Sequence, residues 1–135
     1  MRTALPLDGP FMTEPSDITI LVVDDDWTTL LTAASFLRQA GYAVQTAESG
    51  EEALGLVQAG GSISLLLTDV IMPGLSGPEL AVGVERLSKN VRVLLMSGGT
   101  PDQLEQYWTV GSGYPLLPKP LTSASLLAAV RRALA

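Results

Sequence analysis

At 135 residues, with 47% hydrophobic and 16% charged residues, the chain fits one ordinary domain that can bury a sizeable core. Its 14 acidic and 8 basic residues leave a net charge of -6, which argues against direct binding to nucleic acid or to an anionic membrane. It contains neither cysteine nor histidine. Disulfides, thiolate metal sites, cysteine nucleophiles and Ser-His triads are therefore excluded, and any catalysis must run on carboxylates, lysine or hydroxyls.

Residues 1–17 hold three prolines, four charged side chains and no apolar stretch long enough for the middle of a signal peptide. They read as a flexible leader, with a single domain over 18–135. No later apolar run approaches the roughly 18 residues a spanning helix requires, so a cytoplasmic protein is expected. From Ile18 short apolar runs alternate with amphipathic stretches: Ile18 to Val23, Ala43 to Thr46, Ile63 to Thr68, Val91 to Met96 and Pro115 to Leu117. Their β-branched and leucine content suits strands buried on both faces. Between them lie helix signals. Ser49 with Glu52, Ser76 with Glu79 and Thr100 with Gln103 have capping-box spacing, and Pro101 suits a first helical position. Gly41, Gly60 and Gly61 stand where helices would stop. A last helix is expected over Thr122 to Leu134, its Arg131 and Arg132 favourable at the negative end of the dipole.

Five strands joined by helices predict an α/β fold, a doubly wound parallel sheet with helices on both faces. Ligands in such sheets bind at the carboxyl ends of the strands. There the sequence places Asp24, Asp25 and Asp26 after the first strand, Thr68 and Asp69 at the end of the third, Ser97, Gly98 and Gly99 after the fourth, and Lys119 after the fifth. Carboxylates brought this close repel one another unless a cation neutralises them. An all-oxygen ligand set suits Mg2+, or Mn2+, rather than zinc. A carboxylate left free can act as a nucleophile toward phosphorus, with lysine and metal stabilising the transferring group. Asp69 is the candidate nucleophile, and Lys119 and Ser97 supply the clamp. Asp26, before Trp27 and Thr28, reads as the N-cap of the first helix. Lys119 stands between Pro118 and Pro120, and the Lys119 to Pro120 bond is a candidate cis peptide.

These residues resemble the receiver domain of two-component response regulators, over about Ile18 to Leu134. The blocks that carry the resemblance are LVVDDD at 21–26, GYAVQTAESGEEAL at 41–54, LLLTDVIMPGLSGPEL at 65–80, VRVLLMSGG at 91–99 and LLPKPL at 116–121. The spelling is closest in style to receivers attached to hybrid histidine kinases. The resemblance implies a flavodoxin-like sheet of five strands in the order 2-1-3-4-5. It implies that Asp69 accepts the phosphoryl group, that Asp25 binds Mg2+ directly while Asp24 helps through water, and that the carbonyl of Ile71 completes the metal ligands. It further implies that Lys119 pairs with the phosphoryl group, that the Ser97 hydroxyl bonds it, and that the amides of Val70 and Gly98 line the oxyanion pocket. The implied donor is a phosphohistidine on a histidine kinase or histidine phosphotransfer protein, and helices 4 and 5 are the candidate homodimer face. The protein would be a phosphoacceptor switch rather than an enzyme acting on an external substrate.

The chain departs from the family pattern at the switch. Leu116 stands three residues before the lysine, where many members have Tyr or Phe; Ser97 replaces the frequent Thr, and Leu121 the frequent Phe. Signalling is then expected to rely on the loop after Ser97 and the helix starting near Pro101. The adjacent Tyr107 and Trp108 on that helix cannot both face the core, and an exposed ring there would be either a partner contact or a scattered surface residue. Two other readings compete. Asp24, Asp26 and Thr28 spell the D-x-D-x-T of a haloacid-dehalogenase-type phosphatase, but no Asp or Glu follows Glu105 to complete that family's metal site. A receiver-like module that no longer takes phosphate, or a flavodoxin-like ligand binder, would share the fold. The chain ends at the fifth helix, so output is expected to pass through a partner or a longer parent protein.

Overall fold

A computed structural model of the chain describes residues 14–105 and 113–135. A short 3-10 turn, Pro15–Asp17, leads into five βα units. They are β1 (Thr19–Val23) and α1 (Trp27–Gln39), β2 (Ala43–Ala47) and α2 (Gly50–Gln58), β3 (Leu65–Asp69) and α3 (Gly77–Leu87), β4 (Arg92–Ser97) and α4 (Pro101–Glu105), and β5 (Leu116–Pro118) and α5 (Ser123–Leu134). Tyr107 and Trp108 lie outside the described residues.

The strands form one parallel sheet in the order β2-β1-β3-β4-β5, the order the resemblance implies. Side chains alternate faces along each central strand, as the pleat dictates. Leu21, Val23, Leu66, Val93 and Leu95 join Ala53 and Val57 of α2 and Leu80, Ala81 and Val84 of α3 in one core. Ile20, Val22, Leu65, Leu67, Leu94 and Met96 join Leu30, Ala33 and Leu37 of α1 and Leu126, Ala129 and Val130 of α5 in the other. The expectation that every strand is buried on both faces holds for β1, β3 and β4. It fails for β2 and β5, where exposed residues alternate with covered ones, because both strands lie at the sheet's edges.

The helix signals act locally as spaced. Asp26 N-caps α1, accepting from the Thr28 amide at 3.2 Å and the Thr29 hydroxyl at 2.8 Å. Ser76 and Glu79 form a complete capping box, as do Thr122 and Ser125. Thr100 and Gln103 exchange side chain to amide bonds of 3.2 and 2.9 Å. At α2 the Ser49 hydroxyl caps Glu52, but the Glu52 carboxylate reaches past it to the Glu48 amide at 2.8 Å. Gly41 and Gly60 take positive φ after their helices, the conformation glycine adopts without a Cβ penalty. No helix among the described residues is long and apolar enough to cross a membrane.

Candidate functional site

The strand order reverses between β1 and β3, which opens the crevice where open α/β sheets bind ligands. Registers bring the strand ends level: Val23 lies beside Thr68, Asp69 beside Met96, and Ser97 beside Pro118. Asp24, Asp25, Asp69, Ser97 and Lys119 therefore meet on one rim although four crossovers separate them.

Each has a distinct environment. Asp24 is fully buried, and both its oxygens are engaged: Oδ2 by Lys119 Nζ at 2.8 Å and Oδ1 by the Asp26 amide at 2.8 Å. Asp25 is exposed. Asp69, 7% exposed, accepts at Oδ1 from its neighbour's amide, Val70, at 3.0 Å, and lies 3.3 Å from Lys119 Nζ. The Val70 amide is shared with the Met96 carbonyl, also at 3.0 Å. Carboxylate oxygens of Asp24, Asp25 and Asp69 lie within 4.8 Å of one another. Burial first, and then the Asp24 charge, push the Asp69 carboxyl up to about 6 against the pull of Lys119. Burial alone would lower the Lys119 ammonium, but its hydrogen bond to Asp24 and the charges of Asp69 and Asp24 outweigh it and raise the group. Three carboxylates facing one ammonium leave uncompensated negative charge, and an oxygen-only cluster of this kind fits a hard divalent cation such as Mg2+.

The remaining predicted residues differ in how they relate to this cluster. Ser97 is buried, and its hydroxyl accepts from the Gly99 amide at 3.0 Å while its carbonyl accepts from the Lys119 amide at 2.9 Å. Gly98 is exposed, and a methyl group there would stand 3.8 Å from the Lys119 stem. Ile71 is half-buried at the start of the loop after Asp69. Leu116 lies away from the cluster, on β5 beside Leu95, and is 38% exposed. The Lys119–Pro120 peptide is cis. Asp26 stays outside the acid cluster and serves as the cap of α1.

Two features escaped the sequence. A methyl group on Gly77 would stand 2.2 Å from the Asp69 carbonyl oxygen, and the Gly77 amide donates to the Val70 carbonyl at 2.8 Å. Only glycine lets the loop after Asp69 fold back so closely. Its position inside the Ser76 to Glu79 capping box disguised it as a helix-start residue. The second is the Asp24 to Lys119 ion pair, which joins residues 95 apart in the chain.

The parallel 2-1-3-4-5 sheet with an acid cluster and a lysine at its carboxyl edge is an open α/β domain of the doubly wound class, and residues 20–131 match the response regulator receiver domain family. The chain belongs to that family. It is 28% identical to the sensor kinase CckA of Brucella abortus (strain 2308) over 86% of its length, and 36% identical to the transcriptional regulatory protein YrkP of Bacillus subtilis (strain 168) over 82%. It spans 12% of the former and 47% of the latter. The receiver domain of the hybrid histidine kinase CckA superposes with a TM-score of 0.72 at 35% identity, covering 87% of this chain and 99% of that one. Chemotaxis protein CheY4 of Vibrio cholerae gives 0.76 at 29%, covering 87% and 98%.

Proposed function

We propose that the chain accepts a phosphoryl group on Asp69 from a phosphohistidine of a histidine kinase or histidine phosphotransfer protein, and acts as a conformational switch in a cytoplasmic two-component relay. The observation that carries the reading is the placement of Asp69 within a three-carboxylate cluster and 3.3 Å from the Lys119 ammonium. In the transfer, an Asp69 carboxylate oxygen forms a bond to phosphorus as the bond from phosphorus to the donor imidazole nitrogen breaks. Lys119, already between Asp24 and Asp69, turns toward the incoming phosphoryl oxygens, and the Ser97 hydroxyl and the amides of Val70 and Gly98 donate to them. Asp25, Asp69 and the Ile71 carbonyl would hold Mg2+, or Mn2+, with Asp24 acting through water. The metal would neutralise charge on the transferring group. The domain assists its own phosphorylation and hydrolysis rather than acting as an enzyme on an external substrate.

Donor access is supported by α1, whose Trp27 and Leu31 are 57% and 47% exposed, one turn apart, beside the site. Because Leu116 carries no ring, the switch runs through the loop after Ser97 and the start of α4. Amide hydrogen exchange that differs between phosphorylated and unphosphorylated protein over 98–104 is the expected signature. The reading itself is tested by incubation with acetyl phosphate, with and without Mg2+, followed by intact mass. One phosphoryl adduct is expected, dependent on Mg2+ and removed by neutral hydroxylamine as an acyl phosphate is. No adduct would leave a module that shares the fold and not the chemistry.

A further inference from the structure

The loop after Asp69 carries two of the groups just assigned, the Val70 amide and the Ile71 carbonyl, so whatever fixes this loop also sets the site. Near its origin it is held by β4 and by the start of α3: the Val70 amide bonds the Met96 carbonyl, the Gly77 amide bonds the Val70 carbonyl, and Met72 is buried. Its apex is different. Pro73 and Gly74 are exposed, and Gly74 turns the chain with φ of 78°. There Glu51, at the start of α2, reaches across 24 residues of sequence, and its Oε2 accepts from the Leu75 amide at 3.3 Å. The same carboxylate covers Gly74, where a methyl group would stand 2.7 Å from Oε2. Beside it Gly50 abuts the loop, leaving 2.7 Å between a methyl at that position and Leu75 Cβ. The neighbouring Glu52 turns to its own helix terminus and caps Glu48. The two adjacent glutamates thus do different work, and only Glu51 leaves its element.

We infer that Glu51 is a positioning residue for the phosphoacceptor site: by accepting from the Leu75 amide it fixes the apex of the 70–76 loop, and with it the Ile71 carbonyl and the Val70 amide. The inference rests on the proposed metal and phosphoryl roles of that loop. It touches neither metal nor phosphoryl group itself. Its reach is geometric, and the acceptor oxygen matters rather than the charge, so an amide side chain of the same length should serve.

The test compares the full chain with Glu51→Ala and Glu51→Gln, both exposed substitutions that leave the core intact. Two readouts are taken: amide exchange of Leu75 without metal, and the Mg2+ dissociation constant from the amide resonances of Val70 and Ile71. In Glu51→Ala, Leu75 should exchange about fivefold faster and Mg2+ bind about fivefold more weakly, the worth of one ordinary hydrogen bond. Glu51→Gln should restore both to within about twofold of the native chain, the residue of a fivefold effect once the acceptor is kept. Unchanged Leu75 exchange in Glu51→Ala overturns the inference, as does faster exchange with unaltered Mg2+ affinity. Equal loss in Glu51→Gln would assign the effect to charge and overturn it too. A native chain that binds no Mg2+ would instead defeat the reading of the site, whatever Leu75 does.

Discussion

Lys119 Nζ lies 2.8 Å from Asp24 Oδ2 and 3.3 Å from Asp69 Oδ1, so one ammonium holds together the ends of β1, β3 and β5. Asp24 is fully buried and Lys119 only 19% exposed. A buried carboxylate stripped of its cation is a costly group. Lys119→Met should therefore destabilise the metal-free protein by about 2–4 kcal/mol, somewhat below the fully buried range because the ammonium keeps some solvent contact. Urea denaturation checks this, and Mg2+ should narrow the deficit by neutralising the same carboxylates. A variant as stable as the native chain would show that the ion pair contributes nothing.

Asp69 gives a pH signature. Its carboxyl sits at about 6 in the folded chain against an ordinary 3.8. The folded state therefore binds this proton more tightly than the unfolded one. The contribution of Asp69 to stability is greatest below the unfolded value and is lost as pH rises from about 4 to about 6. Asp69→Asn cannot ionise and escapes that loss. Without divalent cations it should match the native chain at pH 4 and exceed it at pH 7, by up to about 3 kcal/mol. Equal or lower stability of Asp69→Asn at pH 7 would mean that Lys119 compensates the buried charge in full.

Gly77 allows the close return of the loop onto the Asp69 carbonyl. A methyl group 2.2 Å from that oxygen must displace backbone, not a flexible side chain. Gly77→Ala should cost about 1–3 kcal/mol of stability, as overpacking does, and should also slow phosphorylation, because the displaced segment carries Asp69 and Val70. Thermal denaturation and the rate of adduct formation from acetyl phosphate measure the two effects.

Asp26 separates a cap from a catalyst. It bonds the Thr28 amide and the Thr29 hydroxyl and stands outside the acid cluster. Asp26→Ala should lose about 1 kcal/mol of stability, the usual worth of an N-cap, and still form the phosphoryl adduct at nearly the native rate. Abolition of the adduct in a folded Asp26→Ala chain would revive the phosphatase arrangement of Asp24 and Asp26.

What the sequence disclosed follows the range of the interactions involved. The capping pairs Ser76 with Glu79 and Thr100 with Gln103 are three residues apart, and the apolar runs announce β1, β3 and β4, so both were legible. The exposure of β2 was not, because edge position depends on the order of the whole sheet. Asp24, Asp25 and Asp69 stood out because each follows an apolar strand. That Asp24 holds Lys119, that Gly77 folds against Asp69, and that Glu51 rather than Glu52 reaches the loop depend on contacts between elements distant in the chain. Spacing carries no signal for these.

The most direct test of the phosphoacceptor assignment is intact mass after incubation with acetyl phosphate and Mg2+, comparing the native chain with Asp69→Ala. A single phosphoryl adduct on the native chain, absent from a folded Asp69→Ala chain, is the predicted result. An adduct that persists in Asp69→Ala would contradict the account and move the acceptor to another residue.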